Sequence, residues 1–234
     1  MQNKKIKEKE FKLLPNSGIL SAPVYKGGEQ PDLSKHEIIK LNSNENPLGP
    51  SKLARDALKN SFEFINNYPS SNHEKLRKAI AKVHAINFEN IICGAGSDEL
   101  ISFICQCFCS TNDEVIYTEH GFAMYKISAL LRGANPVKVL ENERVADVDN
   151  ILKSCNNKTK IIFLANPNNP TGTFLDSSKI KYLLDNLPDT VLMVIDGAYA
   201  EYIENFDGGL SFVENYDNLI ILRTFSKIYG LAAL

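Results

Sequence analysis

Long apolar runs are missing: no stretch approaches the roughly 20 residues that a membrane-crossing helix requires. An excess of charge of one sign is missing too. With 26 basic and 28 acidic residues the formal net charge is −2, which leaves no electrostatic footprint for nucleic acid or an acidic membrane surface. The stretch Met1 to Lys12 mixes Lys with Glu and has no apolar centre, so it does not read as a secretion signal, and a cytoplasmic location is expected. Histidine is scarce. His36, His73, His84 and His120 are scattered without ligand spacing, and no metal site is read from them. No Gly-x-Ser-x-Gly elbow occurs, and no glycosidase-like carboxylate pair can be argued. Five cysteines in a chain without export signals argue for reduced thiols. Cys105, Cys107 and Cys109 lie in a stretch that reads as a buried helix, where alternate residues do not converge as tetrahedral ligands must. Core packing is expected of them.

What remains is an ordinary globular balance, 44% hydrophobic and 23% charged. Residues 1–45 are polar, with turn signals at Gly18, Gly27-Gly28 and Pro31, and read as an arm or lid. Residues 46–234 read as one large domain. Leu53, Ala54, Ala57 and Leu58 have helical spacing, and a second helix is predicted over His73–His84. Short apolar runs then alternate with helical stretches. The runs are Ile91–Cys93, Glu114–Tyr117, Val137–Leu140, Ile161–Ala165, Val191–Ile195 and Leu219–Leu222. The helical stretches are Asp98–Phe108, Phe122–Arg132, Val148–Ser154 and Asp176–Asn186. Runs that are β-branched and apolar throughout belong to buried parallel strands. Alternation with helices predicts an α/β fold, a mostly parallel sheet in a three-layer α/β/α sandwich.

Ligands of such sheets bind beyond the carboxyl ends of the strands, so residues with chemistry should sit just after the strands. Four clusters do. Gly94-Ala-Gly-Ser-Asp-Glu comes after the first run, Asn166-Pro-Asn-Asn-Pro-Thr-Gly after the fourth, Asp196 and Tyr199 after the fifth, and Ser226-Lys227 after the last. Each has two readings. The glycine turn is either a phosphate cradle at a helix start or a plain turn with Ser97 as helix cap and Glu99 in the first turn. The double Asn-Pro stretch is either a rigid loop or a device that aims Asn169 into a pocket. Asp196 either caps the next helix or holds a cation in a buried place. Lys227 is either a surface lysine or an amine whose apolar surroundings ease loss of its proton, making it a Schiff-base former. Convergence of all four on one edge favours the ligand-binding reading of each.

Together these residues resemble the fold-type I, class I/II pyridoxal phosphate aminotransferases, and most of all the histidinol-phosphate aminotransferases. Leu41-Asn-Ser-Asn-Glu-Asn-Pro-Leu-Gly-Pro, Asn67-Tyr-Pro, Gly94–Ile101, His120-Gly-Phe-Ala-Met-Tyr, Asn166–Gly172, Val194-Ile-Asp-Gly-Ala-Tyr and Arg223-Thr-Phe-Ser-Lys fall in that family's order. The resemblance implies that Lys227 holds pyridoxal 5'-phosphate as a Schiff base and moves the substrate proton. It implies that Asp196 pairs with the pyridine nitrogen, that Tyr199 and Asn169 bond the ring oxygen, and that Phe122 stacks on the ring. Ser97, Asp98, Thr224 and Ser226 would hold the phosphate, and Tyr68 would reach it from the second subunit of a homodimer. The implied reaction converts L-histidinol phosphate and 2-oxoglutarate to imidazole-acetol phosphate and glutamate, a step of histidine biosynthesis. Rival readings are an aromatic amino-acid aminotransferase, a threonine-phosphate decarboxylase of the same fold, and a non-catalytic module that keeps the fold.

Two departures stand out. Relatives often have Pro-Tyr near the N-terminus, where this chain has Pro23-Val24-Tyr25, which leaves the role of Tyr25 open. The sequence also stops at Leu234, inside an apolar, helical-looking stretch from Gly230 without a cap or a polar tail. In the resembled family an arginine comes next, with a small domain beyond it. A truncated chain lacking that C-terminal domain, and inactive alone, is the expectation.

Overall fold

The computed structural model describes residues 15, 18–25, 27, 28 and 39–234. Pro31, His36, Met1 to Lys12 and most of the arm expected over residues 1–45 lie outside them. In chain order the helices are α1 (Lys52–Ser61), α2 (Glu74–His84), α3 (Gly96–Phe108), α4 (Ala123–Leu131), α5 (Val148–Ser154) and α6 (Ser177–Asn186). The strands are β1 (Glu114–Thr118), β2 (Asn135–Val139), β3 (Thr159–Ala165), β4 (Leu192–Asp196) and β5 (Leu219–Leu222). Side-chain caps start three of the helices. Ser51 accepts from the Ala54 N–H, Asp147 from Asn150 and Asp176 from Lys179, each satisfying a donor that no helix carbonyl reaches.

All four strand pairings are parallel, in the order β2-β1-β3-β4-β5. The period of two then sorts the side chains. Ile161, Phe163, Leu192 and Val194 point to one face, where Ile101, Ile104 and Cys105 of α3 and Tyr125 and Ala129 of α4 cover them. Ile162, Leu164, Met193 and Ile195 point to the other, under Ile151 of α5 and Ile180, Leu183 and Leu184 of α6. The result is the three-layer α/β/α sandwich that the alternating pattern predicts. Chain order reverses between β1 and β3, which leaves a crevice beyond their carboxyl ends.

Three local expectations are corrected. Ile91–Cys93 is not a strand. Its backbone is extended at Ile91, but it joins no ladder among the described residues, and Ile92 is 80% exposed. A β-branched run favours a pleated surface only where a neighbour completes it. Of the three clustered cysteines, Cys105 and Cys109 are buried, whereas Cys107 points to solvent and Cys109 lies one residue past the end of α3. The stretch from Gly230 to Leu234 is a turn rather than a helix: one i→i+3 bond joins Leu234 to Leu231, and the Leu231 N–H turns back to the Phe225 carbonyl. Gly230 has φ +67°, and a Cβ there would lie 2.6 Å from the Gly49 carbonyl carbon, so its bare backbone lets the segment before α1 lie against it.

Phe163 sits in the central strand with its ring stacked on Tyr125, centroids 4.8 Å apart and planes within 3°. Phe163→Ala is expected to lower the unfolding free energy in urea by about 3–5 kcal/mol. A loss below about 1 kcal/mol would mean that this ring is not in the core.

Candidate active site

The crevice at the switch point opens into a cavity of about 650 Å³. Its walls come from the ends of four strands: Gly121 and Phe122 after β1, Ala165 and Asn169 at and after the end of β3, Asp196 and Tyr199 at and after the end of β4, and Thr224, Ser226 and Lys227 after β5. Ser97 and Asp98 at the start of α3 complete it. Of the residues that the resemblance gives a part in holding the cofactor, only Tyr68 is absent from the lining, and it is fully exposed. Tyr25 joins the lining, its ring edge-on to Phe122 at 5.9 Å.

Asp196 is the last residue of β4 and shares the parity of Leu192 and Val194, so it turns toward α3 and α4. It is only 5% exposed. The Tyr125 hydroxyl donates to its Oδ2 at 2.7 Å, and the Ala198 N–H donates to its Oδ1 at 3.1 Å. Burial raises the Asp196 pKa above the ordinary 3.8, while the hydrogen bonds from Tyr125 and Ala198 and the charge of Lys227 pull it back. Burial, and after it the adjacent Asp196 charge, holds the Tyr125 phenol well above its usual value. Sequence reasoning assigned Tyr125 no role. The one available signal was spacing, since Phe122 and Tyr125 are three apart at the start of α4 and share a face; their rings meet edge to face at 5.9 Å.

The turn before α3 departs from its plain-turn reading at the cap, while Glu99 does lie in the first turn. The helix begins at Gly96, with Ala95 rather than Ser97 in the cap position. Glu99 reaches back so that its Oε2 accepts from the Ala95 N–H at 2.7 Å. A Cβ on Gly94 would come within 2.8 Å of that oxygen, so glycine leaves room for the carboxylate. Ser97 and Asp98, in the first turn of α3 where N–H groups have no helix carbonyl to bond, line the cavity. The Asp98 side chain opposes an anion there, but burial raises its pKa, with Lys227 acting the other way. The Thr224 hydroxyl donates to Ser226 Oγ at 2.9 Å, and both residues line the same cavity.

The double Asn-Pro loop has divided duties. Asn166 is buried and grips the Leu175 backbone twice, donating to its carbonyl at 2.9 Å and accepting from its N–H at 2.8 Å. Asn168 closes the loop internally by donating to Thr171 Oγ1 at 2.8 Å. Asn169 is left bordering the cavity. Both Asn-Pro bonds are cis.

Lys227 Nζ donates to the Ser43 carbonyl at 3.3 Å and stands 5.7 Å from the centre of the Tyr199 ring. The Tyr199 oxygen accepts from Asn44 Nδ2 at 3.0 Å, and Asn46 Nδ2 donates to the Ile228 carbonyl at 2.7 Å. Residues 41–46 thus form a strap at the cavity, at the end of the stretch read from the sequence as an arm or lid, although no residue of it was given a site role there. The cavity gathers one primary amine, one buried carboxylate, an amide, a phenol, an aromatic ring, the Thr224 and Ser226 hydroxyls and the start of a helix. That set suits a ligand with an anionic end, a flat ring and a cationic ring atom.

The sign of the Asp196 shift fixes a pH dependence. A carboxyl group whose pKa is raised by folding contributes stability that is full below about 3.8 and is lost as pH climbs through the raised value. Asp196→Asn removes that component, so without ligand the variant is expected to gain stability relative to wild type between pH near 4 and neutrality. Urea unfolding at the two ends of that range measures it. A constant difference would show that Asp196 does not titrate abnormally.

A family model for "Aminotransferase class I and II" matches residues 36–234. Histidinol-phosphate aminotransferase of Ruegeria sp. (strain TM1040) is 51% identical over 219 residues, which is 94% of this chain and 60% of that protein. The enzyme of the same name from Dinoroseobacter shibae is 51% identical over 222 residues, 95% of this chain and 62% of that one. This chain thus spans about 60% of the length of the curated relatives it matches. The crystal structure of histidinol-phosphate aminotransferase from Sinorhizobium meliloti in complex with pyridoxal-5'-phosphate superposes with a TM-score of 0.77 at 27% identity, covering 81% of this chain and 52% of that one. The chain belongs to the class I and II aminotransferases.

Proposed function

We propose that the complete gene product is a pyridoxal phosphate-dependent histidinol-phosphate aminotransferase, with residues 46–234 as its cofactor-binding domain and residues 1–45 as an arm over the site. The observation that carries this reading is the gathering of Lys227, Asp196, Tyr199 and Asn169 around one cavity at the carboxyl ends of β3, β4 and β5. Relatives near 50% identity, named for histidinol phosphate, support the choice of substrate.

The residues present fit the cofactor. A buried carboxylate without a neutralising partner is costly, and no basic side chain forms an ion pair with Asp196 among the described residues. A protonated ring nitrogen would offset that cost. At the other end, the N–H groups of Ser97 and Asp98 with the hydroxyls of Thr224 and Ser226 would hold a phosphate. Phe122 would cover one face of the ring, and Asn169 and Tyr199 would donate to its oxygen. When bound, pyridoxal phosphate supplies an aldehyde for amine attachment and a ring that withdraws electrons.

The chain's own residues do the rest. Lys227 Nζ would hold the cofactor, and its free amine would be the base that takes the proton from the substrate Cα. Asp196, whose hydrogen bonds from Tyr125 and Ala198 favour its charged form against burial, would pair with a protonated ring nitrogen. Asn44 donates to the Tyr199 oxygen, which turns the phenol proton away from Asn44. 2-Oxoglutarate is the proposed acceptor of the amino group. A homodimer is also proposed, with Tyr68 reaching the phosphate of the other copy. Tyr68 is fully exposed, and Phe62, Phe64 and Ile65 beside it expose apolar surface of the kind that subunit contacts cover. The cytoplasm is the proposed location, and residues 1–234 alone are proposed not to turn over substrate.

The test is a steady-state assay of the complete gene product with L-histidinol phosphate, phenylalanine and threonine phosphate, each with 2-oxoglutarate. Histidinol phosphate is expected to give the highest kcat/KM, and Lys227→Ala to lower its kcat by a factor of about 10⁴ or more. Preference for phenylalanine, or carbon dioxide release from threonine phosphate, would overturn the substrate assignment. Turnover by residues 1–234 alone would overturn the proposed inactivity.

A further inference from the structure

Tyr125 is the one fully buried tyrosine among the described residues. Its ring is clamped between Phe163, stacked at 4.8 Å, and Phe122, edge-on at 5.9 Å. A phenol sealed this way needs an acceptor for its proton, and it has one in Asp196 Oδ2 at 2.7 Å. Packing fixes the ring, the ring fixes the hydroxyl, and with the Ala198 N–H the hydroxyl fixes the plane of the carboxylate. The helix that carries Tyr125 begins directly after Phe122. The ring-stacking wall and the carboxylate's donor are therefore set by the same few residues.

We infer that Tyr125 is a positioning residue for Asp196: its buried hydroxyl holds the carboxylate oriented and ionised to receive a cationic ring nitrogen. The inference rests on the proposed pairing of Asp196 with a pyridoxal ring and adds the group that makes this pairing work. The charged or titratable groups that act on Asp196 are Tyr125 from α4, Asp98 from α3 and Lys227 beyond β5. Asp98 opposes ionisation of Asp196, and Lys227 favours it. Tyr125 supplies the largest of the influences that favour the charged form against burial. Tyr199, which also lines the cavity, acts on Tyr125.

The test measures binding of pyridoxamine 5'-phosphate to the complete gene product by equilibrium dialysis across the acid and neutral pH range. This probe carries the ring nitrogen but forms no bond to Lys227. Wild-type affinity is expected to fall as pH drops and Asp196 takes up a proton. Tyr125→Phe keeps the ring packing and loses the hydrogen bond, so its fall-off is expected to move to higher pH by about one unit. Tyr125→3-fluorotyrosine, a stronger donor, is expected to move it to lower pH. Asp196→Asn is expected to bind weakly without that fall-off, and adding Tyr125→Phe to it should produce no further pH shift.

A purely structural role predicts something else: an equal loss of affinity at every pH in Tyr125→Phe, and no opposite movement with the fluorinated residue. Either result overturns the inference while leaving the role of Asp196 intact. If Asp196→Asn bound the probe as wild type does at every pH, the pairing of Asp196 with the ring would fail, and this inference with it.

Discussion

A carboxylate at the end of a buried strand is the constraint around which this site is organised. Asp196 continues the parity of Leu192 and Val194, so the pleat that builds the core also carries the acid into it. Burying a charge without a partner costs several kcal/mol. The surroundings offset this in part, with one phenol and one backbone N–H. The uncompensated remainder favours a ligand with a positive ring atom. Binding energy is thus prepared in the fold before any cofactor arrives.

The other groups are placed by the same sheet. Parallel strands all end on one side, and the reversal of order between β1 and β3 opens the crevice there. The ladder continues past the strands, with the Asn166 N–H bonded to the Asp196 carbonyl and the Gly197 N–H to that of Leu222. It carries the Asn-Pro loop, the acid and the Thr224–Lys227 segment forward in register. Asn166 uses its side chain to pin the loop, which leaves Asn169 to border the cavity. The strap over residues 41–46 then ties Lys227 and Tyr199 to the N-terminal part of the chain.

Much of this was legible in the sequence, for identifiable reasons. Strands β3, β4 and β5 announced themselves because both faces are covered and their runs are apolar throughout. The helices α5 and α6 were legible as the helical stretches between those runs, and the structure caps them with Asp147 and Asp176. Lys227, Asp196, Tyr199 and Asn169 were readable as strand-end residues once a parallel sheet was expected. Ile91–Cys93 misled because composition reports affinity for a sheet, not the presence of a neighbour. Asn44 and Ser43 were invisible as site residues because their partners lie 155 and 184 positions away, beyond any local pattern. Tyr125 was hidden differently: an aromatic residue on an apolar helix face looks like core, and it is core, but its hydroxyl also serves the site.

The central claim is that these strand ends build one cofactor site around Lys227. Incubating the complete gene product with pyridoxal 5'-phosphate, reducing it with borohydride and mapping the modified peptide by mass spectrometry tests this directly. The label is expected on Lys227 and is expected to vanish in Lys227→Ala. A label on any other lysine, or none, would contradict the site as described.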